Sequence, residues 1–119
     1  MPNAQQENRD LWIAALRSRE YKRGFQQLVR ANHYCCLGVA CDVLRYPKVL
    51  DEFIFANLKY DNYYPASFFS EDFGVPEVIA DRMITRASAM NDAFYYGAPE
   101  YSNDDIATYL ENSFLAYPL

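Results

Sequence analysis

The run His33-Tyr34-Cys35-Cys36-Leu37-Gly38-Val39-Ala40-Cys41-Asp42-Val43-Leu44 constrains the fold more than any other stretch of the chain. Only Asp42 interrupts its apolar character, so as a helix it is buried on every side rather than lying on a surface. It predicts a central helix from about Tyr34 to Arg45, ended ahead of Pro47 because the residue before a proline avoids the α region. Gly38 lets a neighbouring backbone approach this helix closely. A chain of 119 residues has material for one core, and this run is its natural centre.

The flanking segments supply helices to surround it. Leu11, Trp12, Ala15 and Leu16 form one stripe of an amphipathic helix over 7–18, preceded by a flexible tail over 1–6. Glu77–Met90 is the clearest long helix, with Pro76 suited to its first position and Val75, Ile79, Met83, Ala87 and Met90 on one face. Asn91-Asp92 reads as its stop. Ser102 through Asp105 resembles a capping box with Asp in place of the usual Glu. It opens a last helix that presents Ile106, Leu110 and Phe114 and ends before Pro118. Aromatic and β-branched residues on either side of Asp61-Asn62 predict a short hairpin within 50–64. Ser67–Asp72 reads as one helical turn before Gly74, and Phe94–Tyr101 as a loop. The expected fold is mainly α (α+β): a single compact domain over 1–119, about four helices around a buried central one, with a small β-hairpin.

Charge and cysteine content narrow the function. Residues 1–48 carry eight basic groups against four acidic, and 49–119 three against twelve, for a net charge of −5. That balance disfavours direct nucleic-acid binding, which rests on neutralising phosphates. The cluster Arg17–Arg23 reads as a solvated helix end. The N-terminus lacks a basic-then-apolar leader pattern, and no run approaches the roughly 18 apolar residues of a membrane span. Three cysteines are an odd number, and the neighbours Cys35 and Cys36 would strain a mutual bridge. A soluble cytoplasmic protein with reduced thiols is expected.

Three blocks of residues then stand out: Leu16-Arg17-Ser18 followed by Tyr21-Lys22-Arg23-Gly24; Tyr34-Cys-Cys-Leu-Gly-Val-Ala-Cys-Asp42; and Met90-Asn91-Asp92 followed by Ile106-Ala107 and Leu110-Glu111. In order and approximate spacing they resemble a family of small uncharacterised proteins of bacteriophages and prophages. Arg19 stands where that family usually turns with glycine, and Phe94–Tyr101 lengthens the interval inside the third block. The resemblance implies a shared fold and a phage-type origin, and it brings no catalytic residue or cofactor.

Two readings of function follow from the residues. In the first, Cys35 or Cys36 sits at a helix start, where the dipole and free N–H groups lower a thiol's pKa. His33, the only histidine, would be its base, making a small cysteine-dependent hydrolase. Asn91 or Asp92 would orient the imidazole. Against it, free cysteines are most often small core residues. The same four residues, His33, Cys35, Cys36 and Cys41, lack the paired spacing of a metal knuckle. Asp42, a carboxylate in an apolar helix, needs a partner such as Arg17, Arg45 or a loop N–H. Asn91-Asp92 is expected to pin the 93–101 loop against the central helix.

The second reading starts from twelve aromatic residues between Phe53 and Tyr101, more than this core can absorb beside four helices' worth of aliphatics. Tyrosine-rich exposed loops are a favoured composition for contact surfaces. Tyr60, Tyr63 and Tyr64, with Phe94, Tyr95, Tyr96 and Tyr101 and the carboxylates Asp104 and Asp105, outline an acidic, aromatic face. That face suits a host or defence protein with a basic surface, or a second copy in a homodimer. The leading expectation is therefore a non-enzymatic phage-type accessory protein that binds a macromolecule and needs no cofactor.

Overall fold

The cysteine-bearing run does form a buried helix, and the rest of the chain packs around it. The computed structural model describes residues 3–119. Its α-helices are α1 (Ala4–Ser18), α2 (Cys36–Val43), α3 (Ala66–Phe73), α4 (Glu77–Asp92) and α5 (Asn103–Leu115). The strands are short: β1 (Lys22–Arg23), β2 (Val29–Arg30), β3 (His33–Tyr34), β4 (Lys48–Val49), β5 (Glu52–Phe55) and β6 (Leu58–Tyr60). They make two three-stranded sheets, in the order β1-β3-β2 with β1 parallel to β3, and the antiparallel meander β4-β5-β6. The fold is mainly α with a small β component. Its radius of gyration, 13.3 Å, is what one compact chain of this length should have, about 13.5 Å.

Helix α2 is shorter than its apolar run. His33 and Tyr34 are drawn into β3, paired with Arg30 and Val29 across the sheet, and Cys35 becomes the N-cap with its sulfur accepting from the Gly38 N–H at 3.4 Å. At the other end Arg45 leaves the helix at φ 63°. Gly38 meets the backbone it was expected to admit: a Cβ there would lie 1.7 Å from the Leu28 carbonyl oxygen. The indole of Trp12 donates to the Cys36 carbonyl at 2.9 Å and packs against Phe69 and Phe73, which joins α1 and α3 to α2.

Helix α1 begins earlier than the amphipathic stripe shows. Asn3 caps it by accepting from the Gln5 N–H, and residues 4–6 of the expected tail are helical; Met1 and Pro2 lie outside the described residues. The polar side chains that hid this start serve the neighbouring helix. Gln5 donates to the Glu71 carbonyl, Asn8 to Asp72, and Arg9 to Phe73 and Gly74, so α1 satisfies the carbonyls that the end of α3 leaves open. Arg9 also reaches the Phe114 carbonyl at the end of α5, and is only 3% exposed.

Other expectations shift. The 50–64 segment holds a meander rather than one hairpin, turning at Leu50-Asp51 and at Ala56-Asn57; Asp61-Asn62 comes after the last strand. Ser67–Asp72 extends to the two turns of α3, closed by Gly74 at φ 70°. Asn91 and Asp92 belong to α4 rather than stopping it, and Phe94–Tyr96 forms a 3-10 turn. The capping box at Ser102 is present in both directions, and α5 buries Ile106, Leu110 and Phe114 as its spacing requires.

Candidate functional site

The start of α2 is where chemistry would have to occur, and its geometry is that of a packed joint. The Cys36 N–H, one of the donors a helix start leaves open, is taken by the Asn91 side-chain oxygen at 3.1 Å. The Asn91 amide donates in turn to the Gly24 carbonyl and to Asp92 Oδ1, both at 3.0 Å. Asp92 also accepts from the Gln26 N–H. These two residues therefore pin the Gly24–Gln26 segment to α2, where the 93–101 loop was expected. Asn91 is 1% exposed, one of two buried polar residues among the described residues.

Among the described residues no thiol hydrogen-bonds to a basic side chain. Cys35, Cys36 and Cys41 are free and buried. Burial pushes Cys35 up to about 11 and Cys36 and Cys41 well above the ordinary thiol range. Desolvation thus outweighs the N–H groups that lower Cys35. Cys36 donates to the Ala87 carbonyl at 3.5 Å. His33 is exposed on β3, its Nδ1 lying 3.3 Å from the Arg23 carbonyl oxygen, and it hydrogen-bonds to neither sulfur. A polar hollow of about 90 Å³ beside Cys35, lined also by Asn62, Asn91 and Asp92, has room for about three waters. Asp42 finds neither Arg17 nor Arg45; it accepts from the Tyr21 hydroxyl, while Arg17 pairs with Glu111 at 3.1 Å.

The predicted aromatic face divides. Tyr64 is fully buried, and its hydroxyl donates to Asp72 together with that of Tyr46. Tyr60 and Tyr101 are half-buried against the core, and Tyr63 is exposed. The carboxylates are occupied: Asp104 pairs with Arg19 at 3.4 Å, and Asp105 accepts from the Ser102 N–H inside the capping box. Phe94, Tyr95 and Tyr96, by contrast, are 60%, 59% and 70% exposed on their 3-10 turn.

Tyr95 of this turn borders a groove that the sequence did not reveal. Tyr95 stacks on Phe25 at 6.2 Å between ring centroids, and Gln26 donates to the Tyr96 hydroxyl. Phe25 lies under the Arg23 guanidinium at 5.6 Å. The groove, of about 420 Å³, is walled by Phe25 and Tyr95 with Arg23, Arg30 and His33, and no carboxylate lines it. Two carboxylates bond to backbone at its rim: Asp92 accepts from the Gln26 N–H, and the exposed Asp51 from the Ala31 N–H. Arg30 is exposed and makes no ion pair among the described residues. Its place follows from the β2–β3 hairpin, whose two-residue turn Ala31-Asn32 has both residues at positive φ and sets Arg30 opposite His33.

Among the described residues no helix is long and apolar enough to cross a membrane, and no three metal-ligating side chains converge. No curated protein and no solved structure matches the chain. A family model does, over residues 4–81, which takes in the first two of the three sequence blocks and the start of α4 but not the aromatic turn. The chain belongs to the family described as DUF8296, a domain of unknown function.

Proposed function

We propose that this protein acts by binding, as a non-enzymatic accessory protein of the phage type its sequence resembles, and that it grips an acidic segment of a host or defence protein in the Phe25–Tyr95 groove. The observation that carries the reading is the conjunction of three solvent-facing aromatic side chains with a groove lined by Arg23, Arg30 and His33 and by no carboxylate. Exposed apolar surface of this kind is retained where it meets a partner. Aromatic and arginine side chains are the ones that concentrate binding energy. An acidic partner is preferred here to the basic one expected from the acidic half of the sequence, because Arg23, Arg30 and His33 line the groove and no carboxylate does. The net charge of −5 does not prevent this, since fields are screened within about 8 Å at physiological salt. A cytoplasmic setting suits three unpaired thiols.

The test is a nuclear magnetic resonance titration with two synthetic peptides of equal length, one alternating Glu with Leu and Phe, the other with Lys in place of Glu. The acidic peptide is expected to shift the amides around Phe25, Arg30, His33 and Tyr95, with an affinity that falls in salt and falls about tenfold or more in Arg30→Glu. Preferential binding of the basic peptide, or binding of the acidic one unchanged by Arg30→Glu and Tyr95→Ser, refutes the assignment.

A further inference from the structure

The register of the first sheet sets three basic residues abreast. In the order β1-β3-β2, Lys22 is paired with His33 and His33 with Arg30. Directly paired residues share one face of a sheet. All three are exposed, whereas the next row, Arg23, Tyr34 and Val29, is half-buried or buried. The exposed row adds nothing to the sheet, since it has neither the opposite-charge nor the aromatic pairs that stabilise one. Neither Lys22 nor Arg30 makes an ion pair among the described residues. Asp51, bonded to the Ala31 N–H beside Arg30, and Glu20, two residues before Lys22, pair with neither. His33 is oriented by the Arg23 carbonyl at 3.3 Å, which can only accept, so Nδ1 is the donor there. Nε2 is left over, and as an imidazolium the ring donates from it as well.

This row continues the cationic wall of the Phe25–Tyr95 groove, which holds Arg30 and His33 but not Lys22. Neighbouring strands lie about 4.8 Å apart, so Lys22 and Arg30 stand about 10 Å apart, a gap their long side chains can close over His33. A carboxylate, with one charge and two oxygens, is a poor match for three such donors. A phosphate monoester carries nearly two charges and three strong acceptor oxygens. Beside the row the groove is walled by the stacked rings of Phe25 and Tyr95, and the Arg23 guanidinium lies 5.6 Å from the Phe25 ring. Rings and a guanidinium favour another aromatic ring over a bare methylene, and a volume of about 420 Å³ admits one.

We infer that the segment gripped here carries a phosphotyrosine, its phosphate on the Lys22–His33–Arg30 row and its ring against Phe25 and Tyr95. The inference rests on the peptide-groove reading and adds to it the chemistry of the acid recognised. Lys22 separates the two, since it belongs to the row and not to the groove.

Fluorescence anisotropy with the full chain tests it, using a labelled peptide of alternating Glu with Leu and Phe whose central residue is phosphotyrosine, phosphoserine, glutamate or tyrosine. The phosphotyrosine form is expected to bind about tenfold or more tightly than the glutamate form, with the phosphoserine form between them. Lys22→Glu, a change at an exposed position, should leave the melting temperature in place. It is expected to weaken the phosphotyrosine form about tenfold and the glutamate form by less than about threefold. Equal affinity of those two forms, or a Lys22→Glu that weakens both alike or neither, overturns the inference while the groove reading stands. No binding by any form overturns both. A phosphoserine form as tight as the phosphotyrosine form removes the ring from the recognition and overturns the assignment. A single-stranded oligothymidylate that binds more tightly than the phosphotyrosine peptide makes the row a nucleic-acid surface and overturns it too.

Discussion

Replacing Gly38 by alanine is the sharpest perturbation the fold offers, because the obstacle is backbone. The new Cβ would sit 1.7 Å from the Leu28 carbonyl oxygen and 2.6 Å from its carbon, where ordinary contact begins at 3.4 Å. Helix α2 and the Leu28 strand entry must therefore part by well over an ångström. That carbonyl also accepts from the Cys35 N–H at 3.2 Å, and the Leu28 N–H donates to the Asp61 carbonyl at 2.6 Å, so a displacement of this size breaks both. Two net hydrogen bonds are worth about 1 kcal/mol each, and overpacking a core costs about 1–3 kcal/mol. The better helix propensity of alanine returns about 1 kcal/mol. The expected loss is about 2–4 kcal/mol by urea unfolding, or a fall in melting temperature of about 10 °C for a domain of this size. Gly97→Ala is the control: nothing lies within 4 Å of its Cβ, and only its φ of 85° is strained. A loss below about 1 kcal/mol in Gly38→Ala, within the ordinary range for surface changes, would refute the close approach.

Asn91→Ala should cost about 2–4 kcal/mol in the same assay, since it orphans the buried Cys36 N–H and the Gly24 carbonyl together; a change within about 0.5 kcal/mol would deny Asn91 its bridging role. Leu50 is 87% exposed at φ 55°, so Leu50→Gly should stabilise by about 1 kcal/mol by relieving left-handed strain, and a loss of stability would mean its side chain packs. Burial holds Asp72 above the usual carboxylate range despite the hydroxyls of Tyr46 and Tyr64. A raised folded pKa contributes stability below the unfolded value, about 3.9, and that contribution is lost as pH rises through the folded one. Wild type should therefore gain on Asp72→Asn as the pH falls from neutral toward about 4. The opposite slope in urea midpoints would show that the ionised carboxylate is the form the tyrosines hold.

Residues whose own pattern dictates their place were legible in the sequence. The apolar run of α2, the spacing of α5 and the Ser102 capping box each declare themselves locally, and Gly38 was readable as a point of close approach. A β element in 50–64 was legible, but the first sheet and the strand turns were not, because those turns lack the usual glycine. Ala31, Leu50 and Ala56 adopt positive φ without glycine, so nothing marked the hairpins that take His33 and Tyr34 out of the helix and place Arg30 beside the aromatic turn. Arg19 is the same case at φ 62°, ending α1 in the left-handed region without glycine. Tyr64 was misread for another reason: an aromatic residue looks like surface until its partner is seen, and that partner, Asp72, lies on another element. Asp42 was expected to need a partner, but Tyr21 was not among those named. The groove escaped entirely, since Tyr95 lies 65 residues beyond Arg30 in sequence.

The central claim is that the cysteines are core and that the exposed aromatic turn with its cationic groove carries the function. Native-state alkylation with iodoacetamide at pH 8, followed by mass spectrometry, tests it most directly. With the Cys35 thiol pushed up to about 11 and the other two well above the ordinary thiol range, each should label at least about a hundredfold more slowly than a free thiol. Labelling should accelerate only with added urea, and His33→Ala should change nothing. One thiol that reacts rapidly in the native protein, and slows when His33 is removed, would contradict the account and make the start of α2 a reaction centre.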